Sequence, residues 1–542
     1  MTTLEIRVRR SAALVLAVTL AVLASAAFSL AQPAQRPGPQ APASPATAAP
    51  EATRPAVEAA MPKTEVPPVV RRHEVSVDGR PLRYTVTTGY MPLRSATGEI
   101  DAQVFFMAYT LDRTGPAAAR PLMFSFNGGP GSSSVWLHMG ALGPRRTKMA
   151  PDGALPPPPY VLEDNPHTWL AFTDLVFIDP VGTGYSRAAS QEAGRKYWTL
   201  NGDIESVGEF IRLYLTRYER WLSPLFLVGE SYGTTRAAGL AGHLANRGIA
   251  LNGIVLVSSI LQFQTARFTA GNDLPYPLFL PTYAAIAWYH RKLPADLLAQ
   301  PVAKVLDEVK RWAITDYTVA LAQGDGLTPA ERRATAERLS RYTGLDVGYL
   351  ELADLRPEIQ RFCRELLREE GLTVGRLDGR FAGRGGKGTD ATPEFDPSMT
   401  AIRPPYTATF AHYVRAELGF ESDATYHVLG GGIGPWDHQS NNAFAETADA
   451  LRAAFAKNPY MQVLVASGYY DLATPFFATE YTLAHMGLDP EARAQVRVTE
   501  YEAGHMMYIH EPSLARFTSD AAAFVRAATA PAAPRPVGGP RR

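Results

Sequence analysis

Leu225-Phe226-Leu227-Val228-Gly229-Glu230-Ser231-Tyr232-Gly233-Thr234 is the most informative stretch of the chain. Its first four residues are apolar, the pattern of a strand buried on both faces. Two glycines then bracket a serine. Small residues follow at Thr234, Ala237, Ala238, Gly239 and Ala241, as in a helix packed close to its neighbours. Strand, sharp turn and helix in that order read as a nucleophile elbow. The turn lifts the Ser231 hydroxyl clear of the sheet, and the glycines let strand and helix approach. The bare G-x-S-x-G pattern is weak; the flanking strand and helix give it meaning.

Similar apolar runs recur at 122–126, 175–178, 254–257 and 463–466. Helical spacing falls between several of them: Ile204, Val207, Phe210, Ile211, Tyr214 and Tyr218 follow Asp203 at such intervals. Alternating strand and helix predicts an α/β fold, a central mostly parallel sheet flanked by helices. Upstream, residues 73–110 alternate in strand fashion, with Asp78-Gly79 as a hairpin turn. From 262 to 442 helix signals replace strand signals. Thr328-Pro329-Ala330-Glu331 is a capping box with proline at the first helical position, and Gly344 would stop that helix. Residues 357–371 make a second start–stop pair. This stretch reads as a mainly helical cap inserted between core strands, where it would shape a pocket.

Serine is a weak nucleophile and needs a base and an orienting acid. In this architecture they follow in the order Ser, acid, His. Asp471 comes just after the 463–466 run, and His505 just after an apolar-patterned run at 496–501. Both positions lie past the C-terminal end of a strand, where α/β active sites gather. His510 is the rival base; Asp489 and Asp437 are poorer acids, lying off any strand end. After the 122–126 strand comes Asn127-Gly128-Gly129-Pro130-Gly131-Ser132-Ser133-Ser134. Such a loop brings backbone N–H groups to a substrate oxygen. The expected oxyanion hole is Gly129 N–H with Tyr232 N–H.

Those motifs, with Asp179-Pro180-Val181-Gly182-Thr183-Gly184-Tyr185-Ser186 and Gly504-His505-Met506, resemble the serine carboxypeptidase family of α/β-hydrolases. The resemblance spans roughly residues 70–525 and implies an α/β-hydrolase fold with a helical insertion. It implies removal of single residues from peptide C-termini, with Ser231, Asp471 and His505 as the catalytic set. It also implies that Asn127, Gly128 N–H and Glu230 bind the terminal carboxylate, Glu230 in its protonated form. Two positions depart from the family pattern. Ser132 stands where the family commonly has a disulfide cysteine. Ala141 stands where it often has a second glutamate, two residues before Gly143-Pro144. Arg145 and Arg146, just beyond, are candidates to supply positive charge to the same end of the site.

Composition bounds the rest. Of 542 residues, 46% are hydrophobic, enough for a large core. Lys+Arg 53 balances Asp+Glu 53, which argues against a nucleic-acid binder. A lone cysteine, Cys363, excludes an intramolecular disulfide. No metal-ligand cluster motif occurs, so no metal or other cofactor is expected. Gly383-Arg384-Gly385-Gly386-Lys387-Gly388 lacks the first glycine and the Ser/Thr of a P-loop and reads as a loop. Trp436-Asp437-His438 is a weak candidate for a substrate contact.

Residues 1–31 read as a secretory signal peptide: Arg7, Arg9 and Arg10, an apolar run, then Ser29-Leu30-Ala31 at the cleavage point. The alternative is an uncleaved membrane anchor. Residues 32–69 read as a Pro/Ala-rich linker, 70–261 with 443–526 as the catalytic domain, 262–442 as the cap, and 527–542 as a disordered tail. Export of a chain nearly free of cysteine suits a bacterial periplasm or exterior. The expected function is an exported serine carboxypeptidase acting on peptides through an acyl-enzyme. An esterase or acyltransferase on the same fold is the alternative, and a non-catalytic binding protein a third reading.

Overall fold

The computed structural model describes residues 61–113, 115–116 and 119–531. The proposed signal segment, most of the linker and residues 532–542 lie outside them.

Strands β1 (Val69–Val77), β2 (Arg80–Arg94) and β3 (Ile100–Leu111) form an antiparallel meander. The β1–β2 turn is the Asp78-Gly79 pair. Six longer strands of the same sheet follow: β4 (Leu122–Phe126), β5 (Asp174–Ile178), β6 (Leu225–Glu230), β7 (Gly253–Val257), β8 (Gln462–Gly468) and β9 (Val496–Tyr501). The order across the sheet is β1-β2-β3-β5-β4-β6-β7-β8-β9. β3 pairs antiparallel with β5, and every pair from β5 to β9 is parallel. Two-residue Arg187–Ala188 pairs with β3 as a tenth strand.

The apolar runs are continuous because both faces of the sheet are covered. Leu225 and Leu227 of β6 join one buried cluster, while Phe226 and Val228 join another. Ile254 and Leu256 of β7 divide from Val255 and Val257 in the same way. Each such side chain stabilises the fold by about 1.5–3 kcal/mol. Helices α1 (Leu200–Arg217) and α2 (Tyr232–Asn246) cover the first face with Phe210, Ile211, Ala238 and Leu240. Thr199 caps α1, accepting from Gly202 N at 3.0 Å.

Between β7 and β8 the chain is mostly helical. It contains α3 (Pro275–Tyr289), α4 (Val302–Trp312), α5 (Pro329–Thr343) and α6 (Pro397–His412). The capping box forms: Thr328 N donates to Glu331 Oε2 at 2.8 Å, and Glu331 N donates to Thr328 Oγ1 at 3.3 Å. Gly344 closes α5 at φ 71°. Phe279, Tyr283, Leu306 and Leu339 build a separate core that also takes in Tyr470 and Leu472, on either side of Asp471. In contrast, α6 packs Ile402, Tyr406 and Phe410 onto the second face of the sheet. A two-stranded ribbon, Thr373–Val374 with Ala382–Gly383, went unforeseen because its strands are too short to show a period.

The last helix, α7 (Glu511–Thr529), packs Phe517 and Phe524 on the second face. It runs past residue 526, where the sequence reading begins a disordered tail. Val525 is buried, and Asn252 Nδ2 donates to Ala528 O at 3.2 Å, so the final turn is held. Among the described residues no helix is long and apolar enough to cross a membrane.

After β4 the chain moves to β5 on one side, then returns to β6 on the other. The strand order reverses between β4 and β6, so the loops leaving their C-terminal ends border a crevice. Those loops carry Asn127–Gly129 and Ser231.

Candidate active site

Ser231 is the turn residue between β6 and α2, at φ 60° and ψ −130°. A side chain at positive φ is strained and persists only where its surroundings hold it. Ser231 N donates to Val257 O of the neighbouring strand at 2.9 Å. A β-carbon on Gly229 would run into the Gly233 carbonyl oxygen, so the elbow requires glycine there. A β-carbon on Gly128 would run into Tyr232 N and reach 2.7 Å from Gly233 N. The loop after β4 therefore lies against the first amides of α2, whose N–H groups have no partner within the helix. Gly129 (φ 101°) and Tyr232, the expected oxyanion donors, sit on these adjoining backbones.

Asp471 is fully buried in the loop after β8. Its Oδ1 accepts from Ala473 N (2.7 Å) and Thr474 N (3.1 Å). Its Oδ2 accepts from Thr474 Oγ1 (2.7 Å) and from His505 Nδ1 (2.7 Å). With Nδ1 donating to the carboxylate, Nε2 is the basic nitrogen of His505. Backbone contacts hold the residue: its N–H donates to Leu377 O at 2.7 Å, and its carbonyl accepts from Ser258 Oγ at 2.6 Å. Burial works against the imidazolium. The charge and hydrogen bond of Asp471, aided by Glu230, outweigh that and hold the His505 pKa above its usual value.

The rivals sit elsewhere. His510 Nδ1 pairs with Ser513 Oγ at 2.8 Å, at the start of α7. Asp489 caps a short helix through Ala492 N, and Asp437 accepts from Gln439 N. Trp436 packs edge-on against Tyr232, ring centroids 5.2 Å apart, while His438 lies against Phe263. In the 383–388 loop, Glu394 and Asp390 already accept from the Gly386 and Lys387 amides, so it offers no phosphate cradle.

Glu230, the last residue of β6, is 3% exposed. Burial pushes its pKa up to about 7, against lowering by His505 and Tyr508. Tyr508 Oη donates to Glu230 Oε2 at 2.6 Å. Asn127 Oδ1 accepts from Leu137 N at 3.1 Å; its Nδ2 is buried without a hydrogen bond, yet close enough to Glu230 to lower that pKa. A carboxyl, a carboxamide and the Gly128 backbone thus gather next to Ser231. Arg145 and Arg146 do not join them. Arg145 pairs with Asp164 and Glu417, and Arg146 with Glu163 and Glu511. Acidic neighbours on other segments draw both guanidinium groups away.

Several supporting groups escaped the sequence reading. Arg236, 1% exposed, donates through Nε to Asp203 Oδ2 (2.8 Å) and through Nη1 to Asn127 O (2.6 Å). Tyr232 Oη also donates to Asp203 Oδ2, at 3.1 Å. An arginine one turn into a helix of small residues is a usable signal for such a network. Thr474, three residues after Asp471, fits the local turn pattern of an aspartate capped by its own loop.

Sheet order and elbow define an α/β-hydrolase. Within that class, residues 78–266 match the model of the family described as serine carboxypeptidase, and over that stretch the motif resemblance holds. "Serine carboxypeptidase-like 16" of Arabidopsis thaliana is 28% identical over 197 residues, 34% of this chain and 43% of that protein. "Pheromone-processing carboxypeptidase KEX1" of Saccharomyces cerevisiae is 32% identical over 155 residues, 27% of this chain and 20% of that protein. This chain therefore spans less than half the length of these curated relatives. The solved structure of Kex1(delta)p, a prohormone-processing carboxypeptidase from Saccharomyces cerevisiae, aligns over 82% of this chain and 91% of its own, at 15% identity and TM-score 0.49.

Proposed function

We propose that this chain is an exported serine carboxypeptidase that cleaves the C-terminal peptide bond of peptides. Ser231 Oγ attacks the carbonyl while His505 Nε2 takes its proton and passes it to the leaving amine. Asp471 orients His505. Gly129 N–H and Tyr232 N–H receive the developing oxyanion, and water then hydrolyses the acyl-enzyme. Asn127, Gly128 N–H and protonated Glu230 hold the substrate's terminal carboxylate. Residues 70–261 and 443–526 form the catalytic domain, and 262–442 the cap that shapes the side-chain pocket.

One observation carries the reading: the Glu230 carboxyl is buried one residue before the serine, beside Tyr508 and Asn127, where burial raises its pKa. An ester or an internal peptide bond presents no free carboxylate for it to bind. A protonated carboxyl beside a carboxamide and backbone N–H groups suits a carboxylate ligand. Ala141 in place of a second glutamate favours the alternative, an esterase or acyltransferase. Peptides with free and amidated C-termini separate the two. At pH 6 the free acid is expected to have a kcat/KM about 100-fold higher, roughly the worth of one charge-assisted hydrogen-bonded site. Equal values would overturn the carboxypeptidase reading.

A further inference from the structure

The resemblance leads one to expect an acidic neighbour for Glu230, and Ala141 stands in its place. A different group lies against the carboxyl. Tyr508, on the short turn Met507–Ile509, donates its hydroxyl hydrogen to Glu230 Oε2 at 2.6 Å, and is 2% exposed. A β-carbon on Gly140 would come within 2.5 Å of both the Tyr508 ring and the Tyr406 hydroxyl. The two tyrosines therefore fill the space against the backbone of residues 138–142, where Ala141 sits. The groups that influence the Glu230 carboxyl are Tyr508, Tyr406 from α6, Asn127, His505 and Asp471. Of these only His505 can carry positive charge.

A protonated carboxyl has one hydroxyl oxygen and one carbonyl oxygen, and the carbonyl is the better acceptor of a phenol hydrogen. With the Tyr508 hydroxyl donating to Oε2, Oε1 is the oxygen left to carry the proton. We propose that Tyr508 is a positioning residue, which turns the Glu230 proton toward the substrate's terminal carboxylate in place of a second acid. This rests on the carboxypeptidase reading above. Burial keeps the phenol protonated well beyond neutral pH, so it performs this role without titrating. Carboxylate binding then depends on one proton rather than two, and weakens in a single step as pH rises.

Tyr508→Phe keeps the ring and removes one oxygen. Infrared titration of the substrate-free protein follows the protonated carboxyl band of Glu230, assigned by its loss in Glu230→Gln. The phenol hydrogen bond favours the ionised form, so its loss should move the Glu230 midpoint up by about one pH unit. KM for a free-carboxylate peptide at pH 5 should rise about tenfold, with kcat changed less than about threefold. A purely structural tyrosine would move stability or kcat and leave the midpoint alone. An unmoved midpoint overturns the positioning role. A moved midpoint with unchanged KM overturns its link to the substrate carboxylate. If the wild type treats free and amidated peptides alike, the carboxypeptidase reading fails, and the substrate half of this proposal with it. The midpoint still reports on the Tyr508–Glu230 bond in that case.

Discussion

Arg236 Nη1 donates to the main-chain carbonyl of Asn127 at 2.6 Å, joining α2, one turn beyond Ser231, to the glycine loop after β4. The same guanidinium pairs with Asp203 of α1, which also receives the Tyr232 hydroxyl. One buried side chain thus sets the distance between the strained serine and the loop expected to form the oxyanion hole. Burial pushes the Asp203 pKa up, and Arg236 opposes that shift.

Arg236→Leu should therefore be severe. It leaves the Asp203 carboxylate buried and unpaired, at a cost of about 3–5 kcal/mol. Urea unfolding should show that loss. Arg236→Leu combined with Asp203→Leu should recover much of the stability but not the activity, because the Asn127 carbonyl stays untethered. Full activity in the double variant would contradict the tethering role.

Thr474→Val removes a hydroxyl that donates to Asp471 Oδ2 at 2.7 Å and leaves the packing nearly unchanged. The Asp471 charge then falls more fully on His505. The acid limb of kcat/KM should move to higher pH, and the rate should fall about tenfold through looser orientation of the ring. A pH–rate profile of both proteins checks the direction.

Glu230 links stability to pH. Its folded pKa, about 7, lies above the usual 4.5, so the fold prefers the protonated form. The stability it contributes is fully present below pH 4.5 and lost as pH rises through 7, about 3 kcal/mol in all. Glu230→Gln cannot ionise. Relative to wild type it should gain stability between pH 4 and 8, measured by denaturant midpoints. A constant difference across that range would mean that Glu230 is not held neutral.

The same titration governs binding under the proposed function. KM for a free-carboxylate peptide should rise above about pH 7, whereas an ester without a carboxylate should show no such limb. Ser231→Ala should lower kcat about 10⁶-fold while the fold survives, since members of such a triad act as a unit. A serine-directed phosphonate should label Ser231 in the wild type and nothing in the variant.

The elbow, the strand runs and the chain order of Ser231, Asp471 and His505 were legible because each depends on neighbours in sequence. A glycine two residues either side of a serine, or an aspartate three residues after a strand, is a local pattern that backbone geometry enforces. The helical stretch between β7 and β8 was legible in kind, from its capping box and Gly344. Its packing was not, since α6 covers the sheet while α3 and α5 build a separate core.

The partners of charged and polar groups depend on docking between distant segments. Arg145 and Arg146, adjacent to the site in sequence, are drawn to acids from 17 to 365 positions away. Tyr508 meets Glu230 across 278 residues, and Arg236 meets Asn127 across 109. A side chain's hydrogen bond is settled by whichever group packing brings within 3 Å, and no periodicity records that. Residue type and order along this chain therefore singled out Ser231, Asp471 and His505, and the fold brings the last two into hydrogen-bond contact. Which groups surround them, Tyr508 against Glu230 among them, followed only from how the sheet, α6 and the turn after His505 close on one another.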